Sequence, residues 1–267
     1  MKRRHFVFLT GAMLTAPAHQ WLVHDPGPLV SGLAGRRVSM ELADRFIAMI
    51  GELRAMDDVA GGGAVLSLAE QQFGMVTDLL DRASYDEPTG RKLYIALAEL
   101  GRIVGWSTYD AGQPELTQRY NIVALRAAHS AADRPQGAHI LSFIAYQATR
   151  QGRPAEAVTL IDTAVAGVRG QETPALLAQL YIKQADALAT LGDGSGCAVA
   201  IGRPVRRLNG SHWTTNRRGC TGLHQRRSPP TRVSVSCNRG RSNKRSCCSV
   251  RASCCSTRRS PVTGRHM

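Results

Sequence analysis

Six of the seven cysteines lie after residue 219, and two adjacent pairs, Cys247-Cys248 and Cys254-Cys255, sit inside the run KRSCCSVRASCCS. Cysteine clusters suggest zinc, which asks for ligands that converge on a tetrahedron, as in repeated Cys-x-x-Cys or Cys with paired histidines. Adjacent pairs do not give that spacing. A disulfide scaffold would need an oxidising compartment and a compact frame, and this stretch offers neither hydrophobic residues nor turns to build one. Basic charge without acids attracts phosphate, but Trp213 is the one aromatic residue there on which a base could stack.

The rest of the chain holds no stronger constellation. Gly61-Gly62-Gly63 is not followed by Lys-Ser/Thr nor preceded by a strand, so it reads as a loop between helices and not as a phosphate cradle. His129 and His139 have no partner at ligand spacing and read as surface or packing residues. Asp57-Asp58 and Asp86-Glu87 read as helix-end carboxylates, which favour helix N-termini. No catalytic residue, cofactor site or metal site is expected, and an enzyme is not expected.

Composition divides the chain. Residues 1–201 carry 18 Lys/Arg and 20 Asp/Glu, a balance of −2, whereas 202–267 carry 16 Lys/Arg and no acid. An ordinary near-neutral domain is followed by a compositionally alien tail, expected to stay disordered. At the other end, MKRRHFVFLTGAMLTAPAHQWL has a basic start, an apolar stretch from Phe6 to Ala16 and a small-x-small step at Ala16-Pro17-Ala18. That is signal-peptide grammar, with Arg3-Arg4-His5-Phe6-Val7 resembling a twin-arginine motif; a linker or short buried helix is the competing reading. The stretch is too short for a stable membrane anchor. The resulting segmentation is 1–38 signal-like or linker, 39–201 helical repeat, and 202–267 tail.

From Met40 the pattern is helical. Leu42, Phe46, Ile47, Ile50 and Leu53 share one face, and a second helix over 64–83 presents Leu66, Phe73, Val76, Leu79 and Leu80. A turn is expected over 84–90, then helices to about residue 200. Three helix-ending turns carry Gly112, Gly152 and Gly192, 40 residues apart. Small residues recur seven positions before each glycine (Gly105, Ala145, Ala185) and five after it (Thr117, Ala157, Cys197), with Ala124 and Ala164 at a further small site. Such positions let paired helices approach closely, and one hairpin cannot bury its own apolar face, so neighbours must stack. The expected fold is all-α: antiparallel helix hairpins stacked as a right-handed solenoid.

This pattern resembles tetratricopeptide-like repeats. The longer stretches GGGAVLSLAEQQFGMVTDLL, SYDEPTGRKLYIALAELGRIVGWSTYDAGQPELTQRY and ALRAAHSAADRPQGAHILSFIAYQATRQGRPAEA resemble the C-terminal regulatory region of actinobacterial Xre-type helix-turn-helix transcriptional regulators, over about residues 20–201. The resemblance implies a cytoplasmic sensing domain that reaches DNA only through a helix-turn-helix domain missing here, with a homodimer open to it. It implies a concave groove lined by the first helix of each pair. Setting each glycine at its turn sends Glu99, Arg102, Trp106 and Tyr109 to that groove from one unit, His139, Ser142, Tyr146 and Thr149 from the next, and Gln179, Ile182 and Asp186 from the third. The expected partner is a protein, peptide or small signal, bound without covalent chemistry. On this reading alanine at Arg102 or Tyr109 weakens binding and leaves the melting temperature unchanged. An exported helical-repeat binding protein and a basic-tailed nucleic-acid binder are the alternatives.

The tail also fits translation in a shifted frame. Joining the last base of one codon to the first two of the next turns every Cys into N-T-G, which encodes Leu, Met or Val. With codons chosen freely, Trp213 to Gly222 can then read DDEPPWLYW, and one unbroken offset restores acids and a helix–PGQ–helix unit downstream. The shift falls near residues 202–208 and would cut short the helix that covers 174–191. The nucleotide sequence across codons 195–267 checks this: an open, acid-containing helical-repeat frame is expected, and a stop-ridden one would refute it.

Overall fold

The computed structural model describes residues 8–26, 37–60, 62–208, 234–237 and 248–251. Contacts divide the chain into two units, Met1–Gly219 and Cys220–Met267. In the first, the described residues form helices α1 (Ala12–Val23), α2 (Met40–Ala60), α3 (Gly62–Arg82), α4 (Glu87–Asp110), α5 (Pro114–Ser130), α6 (Arg134–Arg150), α7 (Pro154–Gly167), α8 (Pro174–Leu191) and α9 (Gly194–Leu208). Sequence neighbours pack as hairpins: α2 with α3, α4 with α5, α6 with α7, α8 with α9. The first helices also touch along a row, α2 on α4, α4 on α6 and α6 on α8. An all-α helical-repeat solenoid results.

The turns follow from residue chemistry. Gly112, Gly152 and Gly192 hold φ of 70°, 76° and 84°, the left-handed region where a Cβ is penalised. Proline opens α5, α6, α7 and α8 at the first turn, where its missing N–H costs nothing. Asp86, Asp133 and Thr173 accept from the backbone N–H of Thr89, Gln136 and Leu176 at 2.9, 2.9 and 3.2 Å. The Asp86 cap with Pro88 starts α4 at Glu87, so the turn expected over 84–90 is shorter. Val38 N–H donates to the Ser84 carbonyl at 2.8 Å and ties the start of α2 to that turn.

The small sites are close contacts. Gly105, Ala145, Ala185, Thr117, Ala157 and Cys197 are all buried. A Cβ on Gly105 would stand 2.7 Å from Asn121 Oδ1, so α5 lies against the α4 backbone itself. On α2, Phe46, Ile50 and Leu53 are buried as expected, but Leu42 and Ile47 stay exposed and Ala43 takes the inward place.

The segment read as signal-like or linker contains a packed helix. Leu14, Ala18 and Trp21 follow the i, i+4, i+7 spacing and are at most 2% exposed. α1 lies on the second-helix side, against α5 and α7. Trp21 fills a socket whose walls are Gly137 and Gly167, where any Cβ would collide with the indole. Gln118 brackets Leu9, accepting from its N–H at 2.8 Å and donating to its carbonyl at 3.0 Å. Arg153 donates to the same carbonyl at 3.1 Å, and Glu156 accepts from Gly11 N–H at 3.0 Å. Arg134 donates to the carbonyls of Trp21, Leu22 and His24, capping the end of α1. Among the described residues no helix is long and apolar enough to cross a membrane.

α9 continues to Leu208, beyond the boundary expected at residue 201, with Cys197 and Ala200 buried. In the second unit, Ser234–Cys237 (β1) and Cys248–Arg251 (β2) pair antiparallel, Cys237 opposite Cys248. The rest of the basic tail, and with it the expected disorder, lies outside the described residues.

Removing the indole should leave a cavity of the size that costs about 3–5 kcal/mol in other cores. Trp21→Ala is therefore expected to lower the melting temperature sharply, while Met13→Ala on the exposed face of α1 leaves it unchanged. Thermal unfolding followed by circular dichroism checks both; equal melting of Trp21→Ala and the parent would remove α1 from the core.

Candidate functional site

All eleven residues expected in the groove lie on α4, α6 and α8, the adjacent first helices. Their depths differ. Glu99, Arg102, His139, Ser142 and Thr149 are buried, Trp106, Tyr109, Tyr146, Gln179 and Asp186 are half-buried, and Ile182 is exposed. Thr149 donates to the Ala145 carbonyl at 3.0 Å and serves its own helix.

The buried members form a polar layer. Glu99 is held by Arg54 of α2 and by Arg102, whose Nη2 stands 3.2 Å from the carboxylate. Burial alone would push the Glu99 carboxyl up, but the two guanidiniums outweigh it and hold it low. Arg102 also lies over the Phe143 ring at 5.9 Å. Ser142 donates to the His139 carbonyl at 2.6 Å, and Gln179 donates to Ser142 Oγ at 2.9 Å, linking α8 to α6. Neither ring nitrogen of His139 has a hydrogen-bond partner. Burial, then the Arg102 charge, pushes this imidazole down to about 3, so it is neutral at physiological pH.

Arg102 therefore belongs to the core. Its removal leaves Glu99 buried with one partner fewer, a destabilising change, so the expectation that Arg102→Ala spares the melting temperature does not hold. Tyr109 remains a surface member.

Above this layer lies an aromatic patch. Trp106 stacks on Tyr109 at 5.8 Å and meets Phe143 edge-on at 5.4 Å; Tyr109 meets Tyr146 at 5.7 Å. Gly105, Trp106, Tyr109, Phe143, Tyr146 and Gln147 line a shallow recess between α4, α5 and α6. Two cations lie near the Tyr146 ring, Lys183 Nζ at 3.9 Å and Arg150 at 5.1 Å from its centre. Arg150 is engaged by Asp186. Burial holds the Lys183 ammonium below its ordinary value; Asp186 opposes the shift and Arg150 adds to it.

Phe143, Lys183, Arg54 and Arg150 were not among the expected groove residues. Phe143 and Lys183 occupy one repeat position, each a single residue past Ser142 and Ile182. The matching residue in the preceding unit, Ile103, is core, which hides the position from the repeat pattern. A second concavity of about 320 Å³ lies between α1 and α5, with Gln20, Trp21, His24, Arg126 and His129 in its lining. Among the described residues no group of three or more His, Cys, Asp or Glu side chains could hold a metal ion.

No protein-family model and no curated protein matches the chain. Among solved structures it is similar to the crystal structure of BtubC (BKLC) from P. vanneervenii, at 13% identity and a TM-score of 0.40, over 71% of this chain and 99% of that one.

The buried imidazole makes stability depend on pH. Between its ordinary value near 6.5 and about 3, the unfolded state binds a proton that the native state does not, so acid favours unfolding. The expected limiting slope is about 1.4 kcal/mol per pH unit. Denaturant titrations between pH 7 and 5, above the window where Glu99 titrates, should show this slope reduced in His139→Leu. His129, also shifted down by burial, keeps a share of it. An unchanged slope would mean His139 is not the buried neutral group.

Proposed function

We propose that this chain is a non-enzymatic helical-repeat module that binds a protein, peptide or small signal along the inner faces of α4, α6 and α8. One observation carries the reading. Trp106, Tyr109, Phe143 and Tyr146 gather half-buried on neighbouring helices, over a floor that contains an unpartnered buried imidazole. A core would bury such rings more fully, as it does Trp21. Trp, Tyr and Arg dominate the energetics of binding surfaces, and three parallel helices offer a long open track in place of a closed active-site cavity.

The resemblance to Xre-type regulators supplies the setting: a cytoplasmic signal-receiving region that reaches DNA only through a helix-turn-helix domain. The packing of α1 weighs against the exported alternative. Cleavage after Ala18 would strip Leu14 and Ala18 from the core and cut α1 three residues before Trp21.

The test is a random nine-residue peptide display selected on the full chain. Enriched peptides should bind at least tenfold more weakly to the Trp106→Ala/Tyr146→Ala double variant, with its helical circular dichroism intact. A selection that yields no enriched peptide, or peptides indifferent to the double variant, would defeat the groove reading.

A further inference from the structure

The groove's charges do not balance, and the imbalance has a location. Glu99 is consumed by Arg54 and Arg102, and Asp186 by Arg150. Lys183 lies on α8 among these groups, half-buried, with its ammonium 3.9 Å from the centre of the Tyr146 ring. Among the described residues it joins no ion pair within 4.0 Å. A cation taken this far from water is normally compensated by a carboxylate; a ring face is a weaker substitute. The one carboxylate beside it, Asp186, is already spent. Asp110, beyond Tyr109 at the end of α4, is exposed and lies off the α6–α8 seam.

The surroundings of Lys183 define what could complete it. Tyr146 already has two cations over its ring, so a cationic ligand would meet repulsion there. Ile182, 45% exposed, adjoins Lys183 on α8, and the Trp106–Tyr109 pair lies across Tyr146. The complement is therefore a carboxylate beside an aliphatic group. Helices pack about 8–10 Å apart, so the track from α4 to α8 spans roughly 20 Å. About six residues of extended chain cover that distance at ~3.3 Å each.

Resting on the groove reading above, we propose that the occupant is an acidic, aliphatic-rich extended peptide segment, with a carboxylate seated on Lys183 and an aliphatic side chain against Ile182 and the aromatic patch. Lys183 selects for the acid; Tyr146 holds its ammonium in place. Nucleic acid, though anionic, carries no aliphatic side chains to cover the apolar neighbours.

The probes are fluorescein-labelled (Gly-Leu-Glu)3, its neutral counterpart (Gly-Leu-Gln)3, and a 12-nucleotide oligo-dT, titrated into the full chain at fixed ionic strength and read by anisotropy. The acidic peptide is expected to bind at least tenfold tighter than the neutral one. Lys183→Met, which keeps the apolar stem, should abolish that difference, and Asp110→Asn, offered as a charge control, should preserve it. Equal binding of the two peptides, sensitive to Trp106→Ala/Tyr146→Ala, would overturn the acidic occupant and leave the groove standing. Binding of neither peptide, with the display selection also empty, would overturn both. A preference for acid that survives in Lys183→Met, or oligo-dT binding that is lost in it, would overturn the assignment of Lys183 to an acidic peptide.

Discussion

Two helices can approach only as closely as the smallest residues at their crossing permit, and the packing of α4, α5 and α6 depends on that limit. α4 meets α5 at Gly101 and Gly105, where added Cβ atoms would lie 3.0 Å from Ala124 Cβ and 2.7 Å from Asn121 Oδ1. Thr108 and Thr117 join hydroxyl to hydroxyl across the same seam at 3.1 Å. Beside this seam Trp106 and Tyr109 share a recess with Gly105 and reach across to Phe143 and Tyr146 of α6. The 40-residue repeat of small positions is thus also a repeat of which face is left over.

The leftover face carries buried charge that must be held together. Arg54 comes from α2 and Glu99 and Arg102 from α4, so one carboxylate fixes two successive first helices against each other. Buried ion pairs return little net stability against a well-packed apolar alternative, but removing one partner is costly. Here the triad also places Arg102 under Phe143, which supports Trp106. A polar layer beneath an aromatic one ties the geometry of the surface rings to the register of the helices below them.

Most of this architecture was legible as pattern. Glycines at a fixed period marked the helix ends, and the eleven residues placed from them all fall on α4, α6 and α8. Depth was not legible. Arg102 and Trp106 share a stripe one turn apart, and only the packing of Phe143 and Arg54 makes one core and the other surface. The left-handed Ala132, φ 56°, ends α5 where the pattern offered no glycine. α1 was hidden by ambiguity: an apolar run followed by Ala-Pro-Ala satisfies the grammar of a cleavable signal, while the spacing of Leu14, Ala18 and Trp21 that packs it acquires meaning only beside Gly137 and Gly167, more than a hundred residues away.

That distant contact changes how the repeat behaves. In a solenoid each unit touches only its neighbours, so the spacing of first helices is set locally and small errors accumulate along the stack. α1 escapes that rule. It packs on both α5 and α7, Arg134 at the start of α6 grips its end, and Arg153 and Glu156 hold the residues before it. One strap thus spans two hairpins on the side opposite the aromatic patch. The strap's hydrogen bonds gather on the second-helix side, and the half-exposed rings Trp106, Tyr109, Phe143 and Tyr146 are carried by first helices. Side chains already fixed by packing have less freedom left to lose in any contact, where each one immobilised costs about 0.5–1.5 kcal/mol.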